Sequence, residues 1–180
     1  MPNHVLNELI FQADAATQER ILAKLCNDKG DVDFEILIPT PPNVWRGNVG
    51  QKPEKLGLNG LDWSRQNWGT KWNAYSHKPT ERTETTLTLR FNTAWSPPFP
   101  WLVAAFNTLK ASFEHNWLDE GDSRGHHDKW DFSKMEEAGF ADPWTEARAD
   151  DAMNLHLHEV MWGAETAREI MAEMASHSAN

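Results

Sequence analysis

Asn67-Trp68-Gly69-Thr70-Lys71-Trp72-Asn73-Ala74-Tyr75 gathers two indoles, a phenol and an ammonium, and Thr93-Ala94-Trp95-Ser96-Pro97-Pro98 adds a further indole downstream. Indole rings stack on flat ligands and anchor protein contacts, while their N–H can still find a partner. A lysine between them supplies charge for a phosphate or a carboxylate. The same residue types also suit simple packing. Trp72 and Trp95 read as rings laid over a sheet, whereas Trp68 and Lys71 are open to either role. Trp45 and Trp63 lie in a Pro-, Gly- and Asn-rich stretch with no evident core role. Exposed there, they would be contact residues. The binding candidates on this side are therefore Trp45, Trp63, Trp68 and Lys71. One alternative use of them is capture of a small nucleotide-like ligand.

A second group could hold a metal: His115, Asp119, Glu120, Asp122, His126, His127 and Asp128. Imidazole and carboxylate together suit several divalent ions, and a metal-dependent hydrolase built on residues 115–128 is a further alternative. No HExxH or EF-hand spacing is present, so a solvated turn is the preferred account. His156 and His158 are two apart, on different faces of a helix, and make poor joint ligands. There is no GxSxG and no Gly-rich phosphate loop after a strand, so the expectation is a non-enzymatic protein. One cysteine, Cys26, rules out a disulfide framework and a Cys-ligated iron–sulfur cluster, and no cofactor is expected. Cys26 itself reads as a small buried hydrophobe.

The third group is acidic. The net charge of −10 is uneven: residues 1–113 carry +1 and residues 114–180 carry −11. That excess argues against nucleic-acid binding through the last third and suits docking on a basic protein surface. Glu136, Glu137, Glu146, Asp150 and Asp151 are the candidate contacts. Trp144, Met161, Trp162, Ile170, Met171 and Met174 are numerous for an isolated tail and could instead pack a homodimer. No apolar run is long enough for a membrane helix, and the start lacks a secretory layout, so a cytoplasmic protein of a bacterial host is expected.

The elements that must position these groups follow from periodicity and punctuation. A strand is expected over residues 3–12, and then a helix from Ala15 to about Cys26, capped by Asp14. A second strand is expected over Asp33–Ile38, followed by a long surface excursion over residues 39–66. Further strands are expected from Lys71 to Tyr75 and from Thr83 to Trp95. Ser96-Pro97-Pro98-Phe99-Pro100 then starts a helix, Trp101 to about Lys110. Ser112–Leu118 and His126–Phe132 form a hairpin across the turn at residues 119–125. From Asp142, a cap followed by Pro143, the pattern turns helical. Gly163 interrupts it, Ala164–Ala175 resumes it, and Ser176–Asn180 frays. The fold class is α+β: a ferredoxin-like βαββαβ antiparallel sheet with helices on one face, a loop insertion and a C-terminal helical extension. Domain limits fall at residues 1–132 (with the insertion 39–66) and 133–180.

Residues 1–132 resemble the YubB ferredoxin-like family of phages and plasmids. The matching features are Met1-Pro2-Asn3-His4-Val5, the Asn67–Ala74 run, Thr93–Pro98 and Asp119-Glu120-Gly121. The resemblance implies a ferredoxin-like fold without an iron–sulfur cluster, and an accessory protein of a mobile element. Together with the missing catalytic motifs and the acidic last third, it leads to the expectation of a protein that binds a host macromolecule and inhibits a bacterial defence system.

Overall fold

The computed structural model describes residues 3–45, 59–134 and 144–178. Its elements are β1 (His4–Gln12), α1 (Ala15–Leu25), a 3-10 turn (Phe34–Ile36), α2 (Gly60–Asn67), β2 (Glu81–Arg82) and β3 (Thr86–Ala94). They continue with α3 (Phe99–Leu109), β4 (Phe113–Asp119), β5 (His126–Trp130), β6 (Trp144–Arg148), α4 (Asp151–Trp162) and α5 (Ala164–Ser178). One six-stranded sheet runs in the order β2-β3-β1-β4-β5-β6, and every neighbouring pair is antiparallel. The order β2-β3-β1-β4, with α1 and α3 as connections, is the split βαβ arrangement of a ferredoxin-like domain. Strands β5 and β6 widen it on one side.

Strand β1 lacks clean alternation because both of its faces are covered. Leu9 and Phe11 enter the main core with Leu87, Leu89, Phe91, Trp101, Phe106 and Trp130. Leu6 points the other way, into a smaller cluster with Leu118, Ala149 and Leu157 of α4. A strand buried on both sides has little need of polar residues at every second position. Helix α1 begins as expected, with the Asp14 carboxylate accepting from Thr17 N at 2.8 Å. Burial pushes the Cys26 thiol up to about 12, with Asp31 adding to the effect. Such a thiol carries almost no thiolate near neutrality.

Three expectations are corrected. Asp33–Ile38 is not a strand: Asp33 caps Glu35 N at 3.0 Å, and the turn drives Phe34, fully buried, against Trp101 at 4.6 Å. The excursion contains α2, whose first turn is capped by Asn59 through Asp62 N at 2.9 Å; residues 46–58 lie outside the described residues. Lys71–Tyr75 is not a strand either, since only Tyr75 pairs, with Asn92. Side chains of Thr70 and Asn73 bend that segment by bonding Trp72 O and Ala74 N.

The helix expected from Asp142 is also replaced. Residues 144–148 form β6 on the open edge of β5, and the helix starts eight residues later than read, capped by Asp150. Tertiary pairing overrides the helical propensity of Thr-Glu-Ala-Arg. The sheet therefore crosses the boundary drawn at residue 132. Helix α4 lies on the face opposite α3, Gly163 (φ +91°) turns the chain, and α5 folds back on α4. The helix extends to Ser178, past the frayed end expected at Ser176. Among the described residues, no helix is long and apolar enough to cross a membrane.

Candidate functional site

Strand β3 ends at Ala94, and the chain leaves the sheet through Trp95, whose φ of +79° is left-handed. That conformation is a genuine outlier for a bulky residue. It is held from three sides. Trp95 N donates to Asn3 O at 3.0 Å, Ser96 Oγ donates to Gly69 O, and Thr93 Oγ1 donates to Ser96 O at 2.8 Å. Lys71 N bonds Ala94 O at 3.3 Å, which brings the Lys71-Trp72 segment alongside.

The outcome is a surface of alternating rings and cations. Lys71 Nζ lies 4.7 Å from the Trp72 ring centre and 4.5 Å from that of Trp95, and Arg65 Cζ lies 5.8 Å from the Trp95 ring. All are within the range of cation–π attraction. Trp72 and Trp95 remain 40% and 41% exposed. The Trp72 ring meets Tyr75 edge-on at 6.2 Å, and Tyr75 is itself fixed by His4 Nδ1 at 2.6 Å from its hydroxyl.

Beneath this surface runs a chain of buried polar groups. Asp128 Oδ2 stands 3.2 Å from His115 Nδ1, and His115 Nε2 donates to Asn7 Oδ1 at 3.1 Å. Asn7 Nδ2 then donates to Thr93 Oγ1 at 2.9 Å, which reaches the Trp95 turn. Trp117 Nε1 donates to the same Asp128 oxygen at 3.0 Å. Burial lowers the His115 pKa, and Asp128 opposes that shift. His115 and Asp128 are both wholly buried, so this pair belongs to the interior of the fold. His126 stacks on Trp117 at 3.8 Å; it accepts from Arg148 at Nε2 (3.0 Å) and donates from Nδ1 to Glu146 (2.9 Å).

The metal reading of the 115–128 hairpin does not assemble. Strand alternation sends His115, His126 and Asp128 to one face and His127 to the other, where it bonds Asn116 at 2.6 Å. Among the described residues, no three His, Cys, Asp or Glu side chains converge as metal ligands.

Of the aromatic candidates, Trp45 is 47% exposed and Lys71 sits in the ring-and-cation surface. Trp63 and Trp68 are corrected from contact candidates to core. They are 6% and 5% exposed, meet edge-on at 5.0 Å, and Trp68 Nε1 donates to Ile38 O at 3.0 Å. The cause is α2, which turns Trp63 inward once residues 60–67 are helical. Trp72 and Trp95, read as packing residues, are exposed. The usable signal was the Ser-Pro-Pro that follows Trp95, which ends the strand before its ring can join the sheet.

The acidic candidates already have partners. Glu146 bonds His126, Asp150 caps α4 through Met153 N at 2.8 Å, and Asp151 pairs with Arg124 at 2.7 Å. Glu136 and Glu137 lie outside the described residues. Asp150→Ala is expected to lower stability by about 1 kcal/mol through the lost cap. Urea denaturation checks this, and an unchanged midpoint would leave Asp150 without a structural role.

Residues 68–152, just under half of the chain, match the family described as a ferredoxin-like domain in Api92-like protein. The matched segment holds β2, β3, α3, β4, β5 and β6, and includes Lys71, Trp72 and Trp95 of the ring-and-cation surface but not Arg65. No curated protein and no solved structure gives a match.

Proposed function

We propose that the chain is a non-enzymatic accessory protein of a phage or plasmid. It grips a host macromolecule through Trp72, Lys71, Trp95 and Arg65, and so blunts a bacterial defence system. The observation that carries this is Trp95, a bulky residue held at φ +79° with its ring 41% exposed. Such a backbone costs on the order of 1–3 kcal/mol. A ring that stays 41% exposed recovers only part of that by burial, which fits a side chain kept in place for an external contact. Trp and Arg are also the residue types that dominate binding hot spots. The mobile-element setting rests on the YubB-like motifs of residues 1–132. The acidic candidates enter less directly, because Glu146, Asp150 and Asp151 are engaged within the chain.

Affinity capture from bacterial lysate tests this, with Trp72→Ala and Trp95→Gly as comparators. Glycine accepts the left-handed backbone without strain, so Trp95→Gly removes the ring and spares the turn. A partner retained by the wild type and lost by both variants is the expected result. Folded wild-type protein that retains no partner, or variants that retain the same one, would overturn the reading.

A further inference from the structure

We infer that the group seized by this surface is a nucleotide: a base stacked on Trp72 or Trp95, with its phosphate drawn to Lys71 and Arg65. This rests on the binding role proposed above and names its ligand. Two indoles share a single ammonium between them at 4.7 and 4.5 Å, and a guanidinium flanks the second ring at 5.8 Å. A ligand that uses both kinds of group must offer a flat π-face and an anion a few ångströms apart. A nucleotide has that layout in one unit, whereas an acidic peptide offers charge without a ring to stack. Stacking is also tolerant of base identity, because every base has a π-face.

The rings are set before the ligand arrives. Trp95 is tied through its own N–H to Asn3, and through Ser96 to Thr93, Asn7 and His115; Trp72 rests on Tyr75. Rings that do not have to be ordered on binding lose less conformational entropy.

Charge limits the ligand's size. The surface lies in the near-neutral part, where residues 1–113 carry +1, while residues 114–180 carry −11. A long phosphate backbone would run into that negative field, so the site takes one or a few nucleotides. Free mononucleotides and the nucleotides of a single strand share this chemistry.

Calorimetric titration of the whole chain with AMP, adenosine, a four-nucleotide oligo-dA and a glutamate-rich peptide tests the proposal. AMP or the oligomer should bind, adenosine should bind at least about tenfold more weakly, and the peptide should not bind. Trp72→Ala and Trp95→Gly should each weaken binding about 5- to 150-fold, the range of one lost stacking contact. Lys71→Gln should flatten the dependence on salt. An oligomer that binds more tightly than its count of bases explains marks a strand as the source; parity with AMP marks the free nucleotide, which keeps the nucleotide site but replaces the macromolecular partner proposed above. No binding of AMP or oligomer, equal binding of adenosine and AMP, or wild-type affinity in Trp95→Gly overturns the nucleotide. If lysate capture still depends on Trp72 and Trp95 in that case, the broader binding role stands and the ligand class alone falls.

Discussion

Glu8→Ala is expected to destabilise the protein by about 3–5 kcal/mol, the usual result of removing one partner from a buried ion pair. Glu8 sits mid-strand in β1 with its side chain 1% exposed. Arg90 and Asn116, its cross-strand neighbours on β3 and β4, both donate to it, and His156 of α4 donates from above at 2.9 Å. Alanine would leave Arg90, only 11% exposed, with Glu81 alone. It would also release a polar tie between α4 and the sheet, where the apolar cluster is small. Chemical denaturation of wild type and variant measures the loss, and a difference below about 1 kcal/mol would show that the carboxylate is dispensable.

The same site fixes two pH windows. Burial alone would raise the Glu8 carboxyl; hydrogen bonds from His156, Asn116 and Arg90 outweigh it and hold the pKa at about 2 instead of 4.5. Its contribution is therefore complete above about 4.5 and lost as pH falls toward 2. His156 moves the opposite way: the hydrogen bond to Glu8 raises it above 6.5, against burial. Its contribution is present below 6.5 and fades as pH rises through the elevated value. In His156→Gln the alkaline part of the stability profile should flatten, and the acid limb should shrink, because His156 is among the groups that hold the Glu8 carboxyl low.

Gly69→Val is the second large effect, expected to cost about 2–5 kcal/mol from backbone strain and overpacking together. Gly69 has φ +85°, and a Cβ there would stand 2.5 Å from Pro100 Cδ and 3.3 Å from both Phe99 N and Pro97 O. Pro100 is a rigid ring in the first turn of α3, so the neighbour cannot swing aside. Gly163 provides the comparison: φ +91° with open space around the added carbon. Gly163→Val should show strain alone, on the order of 1–3 kcal/mol. Because Gly69 O also accepts from Ser96 Oγ, displacement at Gly69 should loosen the Trp95 turn and weaken binding along with stability. Equal thermal midpoints for the Gly69 and Gly163 variants would remove the role assigned to the contact with Pro100.

The sequence by itself determined the elements whose signals are local. Asp14 caps α1, Pro98 and Pro100 open α3, and alternation marks β3. The hairpin of β4 and β5 follows from two strand-like runs around turn residues. Each rests on hydrogen bonds or periodicity spanning a few residues, which neighbouring sequence suffices to specify. The antiparallel α+β class follows from their order.

Only the tertiary structure decided which indoles face water. Trp63 and Trp68 are buried because α2 forms and docks beside Phe34, while Trp72 and Trp95 stay outside because side-chain bonds bend their segments away from the sheet. Residues 144–148 are a strand because β5 offers an unpaired edge. Glu8 is buried because α4, from the far end of the chain, covers its face. Burial and edge pairing depend on which distant element arrives, and composition and spacing carry no record of that.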